Sequence, residues 1–438
     1  MNIGKLFTLV IGLLALANLD TAYADRSAVM PSAEADRELD IGAAVDTALR
    51  DNPGLAEIMA RASAMAAIPS QLGTLPDPEI SFSALSLPVD SFALQQEAMT
   101  QLQFGISQTV PFPGKLGLME AAATHEAEAA ARDVDEARLR LVRDVRSEWW
   151  TLAYLRQAQA IVNQNQDLLR DLIKVARTKY SVGQGLQQDV LLAQLELSKL
   201  LDLDLQLQGM RTSERGRLNA LLNRQASAPL HLPAKIDLSL PDLPSTAALY
   251  ASAVEVRPRL AEQRSQIEAA RSRLDLARKD LYPDFNLGAS YGVRSGDNPN
   301  GSGRADLLSF RVGIKVPLFA GRKQSKAIDQ RNSELMQQTY ALQDERVQVL
   351  SEITSALADY RRAREQVSLY DSGIIPQARQ TVASMFAGYQ VSKVDFLNLV
   401  RAQLTLYNYQ IQYWRSLADA NQALARLYAA VGKENFHE

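Results

Sequence analysis

From Leu118 to Val182 the sequence contains neither glycine nor proline. Through it, apolar residues return at steps of three and four: Leu141, Val145, Trp149, Leu152, Leu155, Ala158, Val162, Leu169, Leu172 and Ala176. Asn165 is the main polar interruption. These steps are the period of a helix, and a stripe this long marks coiled-coil packing. One helix over 114–181 measures about 100 Å at ~1.5 Å per residue. A single-core globular domain cannot contain such a rod.

The chain is also written twice. Pro53-Gly54-Leu55-Ala56-Glu57 returns as Pro258-Arg259-Leu260-Ala261-Glu262, and Pro76-Asp77 as Pro283-Asp284. Val110-Pro111-Phe112-Pro113-Gly114-Lys115 returns loosely as Val316-Pro317-Leu318-Phe319-Ala320-Gly321-Arg322. Tyr154 matches Tyr360, Tyr180 matches Tyr389, and Ala193-Gln194-Leu195 matches Ala402-Gln403-Leu404. Six matches in order, all offset by roughly 207 residues, define a duplication too long in period for a solenoid. The prolines at 229, 233, 241 and 244 suit an extended connector over 226–247.

The repeats predict the same element order twice. Residues 41–225 give a helix (41–72), strands 79–87 and 101–110, the long helix 114–181 and a helix 186–225. Residues 248–432 follow a helix over 245–281 with strands 284–293 and 306–316, a long helix 321–388 and a helix 394–431. A tail, 433–438, ends the chain. In the second long helix Val347, Leu350, Ile353, Leu357 and Tyr360 carry the apolar rhythm, and Pro376 should kink or end a segment by removing a backbone donor. Leu201, Leu203, Leu205 and Leu207 alternate like a strand, but their counterparts in the second repeat do not, so helix is retained.

Three of the four strands alternate cleanly; residues 79–87 do so less cleanly, through Ile80 and Phe82. Phe104, Ile106 and Val110 share one side of theirs, as do Phe285, Leu287 and Tyr291, and Leu308, Phe310, Val312 and Ile314. The intervening residues are small, polar or charged. Runs of about 9–11 residues with one apolar face suit tilted membrane strands over a water-lined interior. Phe104, Phe285, Tyr291 and Phe310 are thus expected to face lipid. Four strands cannot close a spanning barrel, which needs about eight or more, so strands must be shared between chains.

The N-terminus reads as an address. Lys5 precedes an apolar run from Leu6 to Ala17, and Ala22-Tyr23-Ala24 has the pattern of a signal-peptidase site. Cleavage is expected after Ala24, making 1–24 a signal peptide and 25–40 a polar leader. No later stretch reaches the ~18 apolar residues of a spanning helix.

Composition narrows the chemistry. The chain of 438 residues has a formal charge of −3 and no cysteine. The near-neutral balance gives no footprint for nucleic acid. Disulfides, thiolate metal sites and N-terminal lipidation through cysteine are excluded. His125, His231 and His437 lie far apart, in no ligand or triad pattern. The sequence therefore predicts no enzyme, no cofactor and no bound metal.

With these features in place the chain resembles the TolC-type outer-membrane efflux channels over about 40–432. The resemblance rests on the two strand-to-helix junctions above, on Tyr180-Ser181-Val182-Gly183-Gln184-Gly185 with Asp189-Val190-Leu191, and on Tyr389-Gln390-Val391 with Asp395-Phe396-Leu397. Leu404-Thr405-Leu406-Tyr407-Asn408 completes the set. It implies a mixed α/β membrane protein: a trimeric 12-strand β-barrel, four strands per chain, continued by a long α-helical coiled-coil tunnel. It implies a homotrimer in outer-membrane lipid that reaches into the periplasm, a periplasmic adaptor, and an inner-membrane pump of RND type. The Pro111-Phe112-Pro113-Gly114-Lys115 wording is similar to the heavy-metal efflux branch. The alternative is a soluble periplasmic coiled-coil scaffold or adaptor.

The resemblance also implies sites. Gly183, Gly185, Tyr389 and Ser392 fall at the periplasmic tips, where the adaptor would dock. Acidic residues beyond the second tip narrow the pore of the best-known members; here those positions are Asn398 and Arg401. Asp395 is the nearest carboxylate, with Asp189 in the first half, and Arg401 offers Asp395 a cation. Trp149 and Trp150 are expected to pack, and Arg361, Arg362 and Arg364 to form a solvated face. Gly183-Gln184-Gly185 lacks the third glycine of a dinucleotide fingerprint and follows a helix. The loop at Asp297 has Leu308 where a calcium loop needs an acid.

Overall fold

The computed structural model describes residues 38–391 and 393–434. The expected signal peptide, the leader up to residue 37, Ser392 and residues 435–438, with His437, lie outside the described residues.

The two repeats build parallel sets of elements. The first comprises α1 (Ile41–Asp51), α2 (Pro53–Ala66), α3 (Ile68–Gly73), β1 (Glu79–Leu85), β2 (Gln101–Val110), α4 (Lys115–Ser181) and α5 (Gln187–Leu221). The second comprises α6 (Thr246–Val256), α7 (Pro258–Lys279), β3 (Asp284–Val293), β4 (Leu307–Lys315), α8 (Gln324–Leu369), a π turn (Tyr370–Ile374), α9 (Ile375–Gln390) and α10 (Phe396–Val431). No helix among the described residues is long and apolar enough to cross a membrane.

The expected helices 41–72 and 245–281 are broken where proline dictates it. Asn52 caps α2 by accepting from the Leu55 backbone N–H at 3.0 Å, with Pro53 in the first turn. Arg257 takes the same place before Pro258. In each case the extended residue before proline ends one helix and the proline starts the next. Pro69 likewise opens α3.

α4 is a single helix of 67 residues, about 100 Å long. Its stripe is buried at Val145, Trp149, Leu155, Ala158, Val162, Leu169 and Ala176, against α5, α7 and α10. The leucines that alternate near residue 200 lie in α5, where Leu200 and Leu207 are buried and Leu201 and Leu205 exposed. Trp149 and Trp150 meet edge to face at 5.3 Å, and Trp149 donates from Nε1 to the Leu39 carbonyl at 2.9 Å. In the second repeat the buried stripe runs through Val349, Ile353, Ala356, Leu357 and Tyr360, while Val347 is exposed. Pro376 does not stop this helix. The backbone widens to a π turn over Tyr370–Ile374, and Pro376 sits in the first turn of α9.

The sheet is antiparallel, in the order β1-β2-β3-β4. β1 ends at Leu85 and β4 spans 307–315, each shorter than the sequence suggested. β1 and β4 are its free edges.

Candidate functional site

Register settles which strand residues share a face, because partners directly opposite lie on the same side of a pleated sheet. One row is Phe82, Phe104, Tyr291 and Leu308; the next is Ile80, Ile106, Ala289 and Phe310; a third is Val110, Phe285 and Ile314. Phe104, Phe285, Tyr291 and Phe310 therefore stand on one apolar face. The other face carries Ser81, Gly105, Ser290 and Ser309 in one row and Ser107, Gly288 and Arg311 in another. Gln103 donates to the Ser290 hydroxyl across it at 2.6 Å. The sheet has a greasy side and a narrow polar side, as a barrel wall between lipid and water requires.

Above the sheet the two loops are stapled together. Arg304 donates from Nη1 to the carbonyls of Glu97 (2.8 Å) and Gln95 (3.2 Å). Arg294 reaches the Ala98 carbonyl at 3.3 Å.

Below the sheet the strands turn into helices at the repeated proline motif. Gly114 supplies a φ of 90° before α4 begins. Phe112 stacks on Tyr282 at 4.6 Å, and its backbone N–H donates to Asp284 Oδ1 at 2.9 Å. Lys115, 4% exposed, places Nζ 2.9 Å from Asp284 and 3.0 Å from Asp280. Burial pulls the Lys115 pKa down, but its hydrogen bonds and attraction to both carboxylates prevail and raise it. The first repeat's strand exit is thus bolted to the second repeat's strand start. The matching exit in the second repeat has no such cover: Leu318 is 82% and Phe319 76% exposed.

At the far end of the rods both tips close with the same backbone bond. The Gln184 N–H donates to the Lys179 carbonyl, and the Lys393 N–H to the Gly388 carbonyl, each at 2.8 Å. Gly183 takes a φ of 73°. Gly185 has no room for a side chain, since a Cβ there would lie 3.0 Å from that of Lys179. The second tip uses Gly388, where a Cβ would fall 2.5 Å from Val394. Tyr389 is buried, packs on Phe396 at 5.4 Å and receives Lys179, whose Nζ donates to its carbonyl at 2.9 Å. Burial, and then the charge of Asp189, push the Tyr389 phenol up. Ser392 lies outside the described residues.

Of the candidate constriction residues, Asp395, Asn398 and Arg401 lie along the start of α10 and Asp189 in the first turn of α5. Asp395 is the N-cap of α10, though its side chain makes no capping bond. Asp395, Asn398 and Arg401 are exposed, and the free face continues through Thr405, Asn408 and Gln412. No ion pair joins Asp395 to Arg401 among the described residues. Asp189 occupies the third position of α5 and Asn398 the third of α10, so these two are equivalents in the duplication, whereas Asp395 and Asp189 are not.

The arginines at 361, 362 and 364 are a solvated face: Arg364 pairs with Asp242 at 2.7 Å and Arg362 with Asp359 at 3.3 Å. Sequence reasoning missed a buried pair. Arg257 donates from Nη2 to Glu136 Oε1 at 2.9 Å, both nearly sealed from solvent. It joins the elbow between α6 and α7 to α4. The residue before Pro258 was the available signal, since proline fixes the bend on which it sits.

A sheet with one apolar face and two open edges, carried on helical rods about 100 Å long, has the architecture of a barrel-wall segment continued by a helical stalk. The chain belongs to the outer membrane efflux protein family, whose model matches residues 44–224 and again 249–433, one match per repeat. It is similar to the outer membrane efflux protein BepC of Brucella suis, at 26% identity over 64% of this chain and 60% of BepC. It is similar to the cobalt-zinc-cadmium resistance protein CzcC of Cupriavidus metallidurans, at 21% identity over half of each chain. The chain thus spans less than two thirds of the length of these relatives. The fold is that of the outer membrane protein VceC of Vibrio cholerae, with a TM-score of 0.75, 20% identity, and coverage of 90% of this chain and 96% of that one.

Proposed function

We propose that this chain is the outer-membrane exit channel of a tripartite efflux system, a passive conduit for small molecules or metal ions. Three copies share a 12-strand barrel. The helical rods form the periplasmic tunnel, whose tips meet a periplasmic adaptor and, through it, an inner-membrane pump of RND type. Metal enters this reading only as cargo: CzcC is named for cobalt, zinc and cadmium resistance. Among the described residues no group of three His, Cys, Asp or Glu is placed to hold an ion.

The observation that carries this reading is the uncovered second junction. In the first, Lys115 of one repeat binds Asp284 of the other. The duplication maps Lys115 onto Arg322 and Asp284 onto Asp77. Arg322 and Asp77 are both exposed, and neither has an ion-pair partner among the described residues. They lie at opposite edges of the sheet, beyond β4 and before β1. Closing β4 of one copy on the β1 of the next would bring Arg322 to the neighbour's Asp77 and cover Leu318 and Phe319. Free edges are not tolerated in lipid, so some such closure is required.

α5 supports the same assembly. Its exposed Leu191, Leu195, Leu201 and Leu205 lie within about 120° of one another around the helix axis, an apolar stripe awaiting a partner helix.

The chain has no cysteine, so the test is direct. Asp77→Cys combined with Arg322→Cys should give, on oxidation in outer membranes, a covalent trimer that reverts to monomer under reductant. Each single variant should give none. A double variant that stays monomeric, or is recovered from the soluble periplasm, would remove the shared barrel and leave a periplasmic scaffold.

A further inference from the structure

The first helical hairpin gathers three arginines, none of which makes a salt bridge among the described residues. Arg156 lies one turn beyond Leu152 on α4, and Arg211 and Arg215 stand one turn apart on the facing α5. The connector crosses beside them at His231, and together they line a half-open cavity of about 120 Å³. No carboxylate is among the described residues that line it.

Two of the three arginines keep a buried N–H without an acceptor. Arg156 is fixed by Nη1, which donates to the carbonyls of Leu232 (2.8 Å) and Pro233 (2.9 Å), while its buried Nη2 has no hydrogen-bond partner. The buried Nε of Arg215 is likewise unpartnered, and Arg215 makes no ion pair among the described residues. Arg211 is steered by a hydrogen bond to Gln159 Oε1 at 3.1 Å. Burial, then repulsion from Arg211, lowers the Arg156 pKa, with only Glu38 opposing. A buried guanidinium N–H without an acceptor costs stability, so this arrangement calls for an anion.

We propose that this cavity binds a compact tetrahedral oxyanion of the phosphate or sulfate class. Guanidinium forks match the oxygens of such ions, and three of them converge here. Roughly 10–15 Å³ holds one water, so the cavity has room for the ion and part of its hydration shell. A lipid phosphate is not its source. Arg156 lies 41 residues along α4 from Lys115 at the foot of the sheet, about 60 Å away.

Only the first repeat carries the site. The counterpart of Arg156 is Arg362, which pairs with Asp359, and that of Arg215 is Leu424, which is buried. Each chain therefore binds one ion. The ion acts as a strut between the hairpin and the connector that joins the repeats.

The test uses the detergent-extracted protein and inorganic phosphate. Phosphate should raise the melting temperature saturably, beyond chloride at equal ionic strength, and titration calorimetry should give one site per chain. Arg215→Gln should abolish both responses. In chloride that variant should melt no lower than the parent, because it relieves cation repulsion. Arg217→Gln, which removes an exposed arginine from the same helix, should leave the phosphate response intact. A phosphate effect equal to that of chloride, or one that survives in Arg215→Gln, would overturn the proposal. So would an acetate effect as large as that of phosphate, which would assign the pocket to carboxylates. An Arg215→Gln protein melting markedly lower in chloride would also overturn it, by showing that Arg215 already has a partner within the assembly.

Discussion

Lys179 and Tyr389 tie the tips of the two helical hairpins together. The ammonium donates to the Tyr389 carbonyl at 2.9 Å and lies 4.2 Å from the centroid of its ring. A charged hydrogen bond contributes about 1.5–3 kcal/mol, and a cation against a buried ring such as that of Tyr389 adds about 1–2 kcal/mol. Lys179→Met keeps the stem and removes both. The second hairpin should then swing more freely, with faster amide exchange around Tyr389 and Phe396 and a larger single-channel conductance in planar bilayers. Unchanged exchange and conductance would show that the tips are held apart from this contact.

The register gives the barrel wall a sidedness that a pair of adjacent substitutions can read. Phe310 lies on the apolar face and is 78% exposed in the protomer; Ser309 lies on the polar face. A lysine on the lipid side near the midplane costs about 2–4 kcal/mol, and one on the water side far less. Phe310→Lys should lower the yield of detergent-resistant trimer and Ser309→Lys should not. The reverse order would exchange the two faces.

Much of this architecture was legible because it rests on period. The stripe through Val145, Trp149 and Leu155 and the alternation around Phe104 and Phe310 each follow from one element needing to bury or wet one side. The duplication fixed the element order in the second half. What stayed hidden depends on partners distant in sequence. Arg257 and Glu136 lie in different repeats, as do Lys179 and Tyr389, and no local pattern joins them. Helix phase was also lost locally: Val347 fits the apolar rhythm, but the helix buries Val349 instead. At Pro376 the rule was right about the lost donor and silent on how the backbone would absorb it.

The buried Arg257–Glu136 pair should behave as a lock between repeats. Burial raises the Glu136 pKa even with Arg257 opposing it, and burial lowers that of Arg257. On both partners desolvation outweighs the pairing. Removing one partner strands a buried charge, at about 3–5 kcal/mol. Arg257→Met should therefore lower thermal stability sharply. Adding Glu136→Gln should restore much of it, because the stranded carboxylate is gone. A double variant as weak as the single one would mean that Arg257 acts through packing, where the backbone of Gly432 closes against it, rather than through charge.

A second pair of carboxyl groups predicts how stability follows pH. Glu148 on α4 is pushed up to about 7, first by burial and then by a hydrogen bond to Glu214 on α5 and the charge of that neighbour, with Arg217 opposing. Glu214 is engaged by Arg217, whose Nη1 lies 3.0 Å from both its oxygens. Between the ordinary value of 4.5 and about 7 the folded protein holds a proton that the unfolded chain has released. Stability therefore falls as pH rises through that window. The contribution is complete below 4.5 and gone above about 7, where two charged carboxylates would face each other. Glu262 and Asp419 are raised by burial in the same sense, so the parent protein should lose melting temperature as pH rises from about 4.5 to about 7. Glu148→Gln keeps a donor toward Glu214 without a titrating proton, and its melting temperature should fall less over the same interval. Parallel curves for the two proteins would place the pH response elsewhere in the bundle.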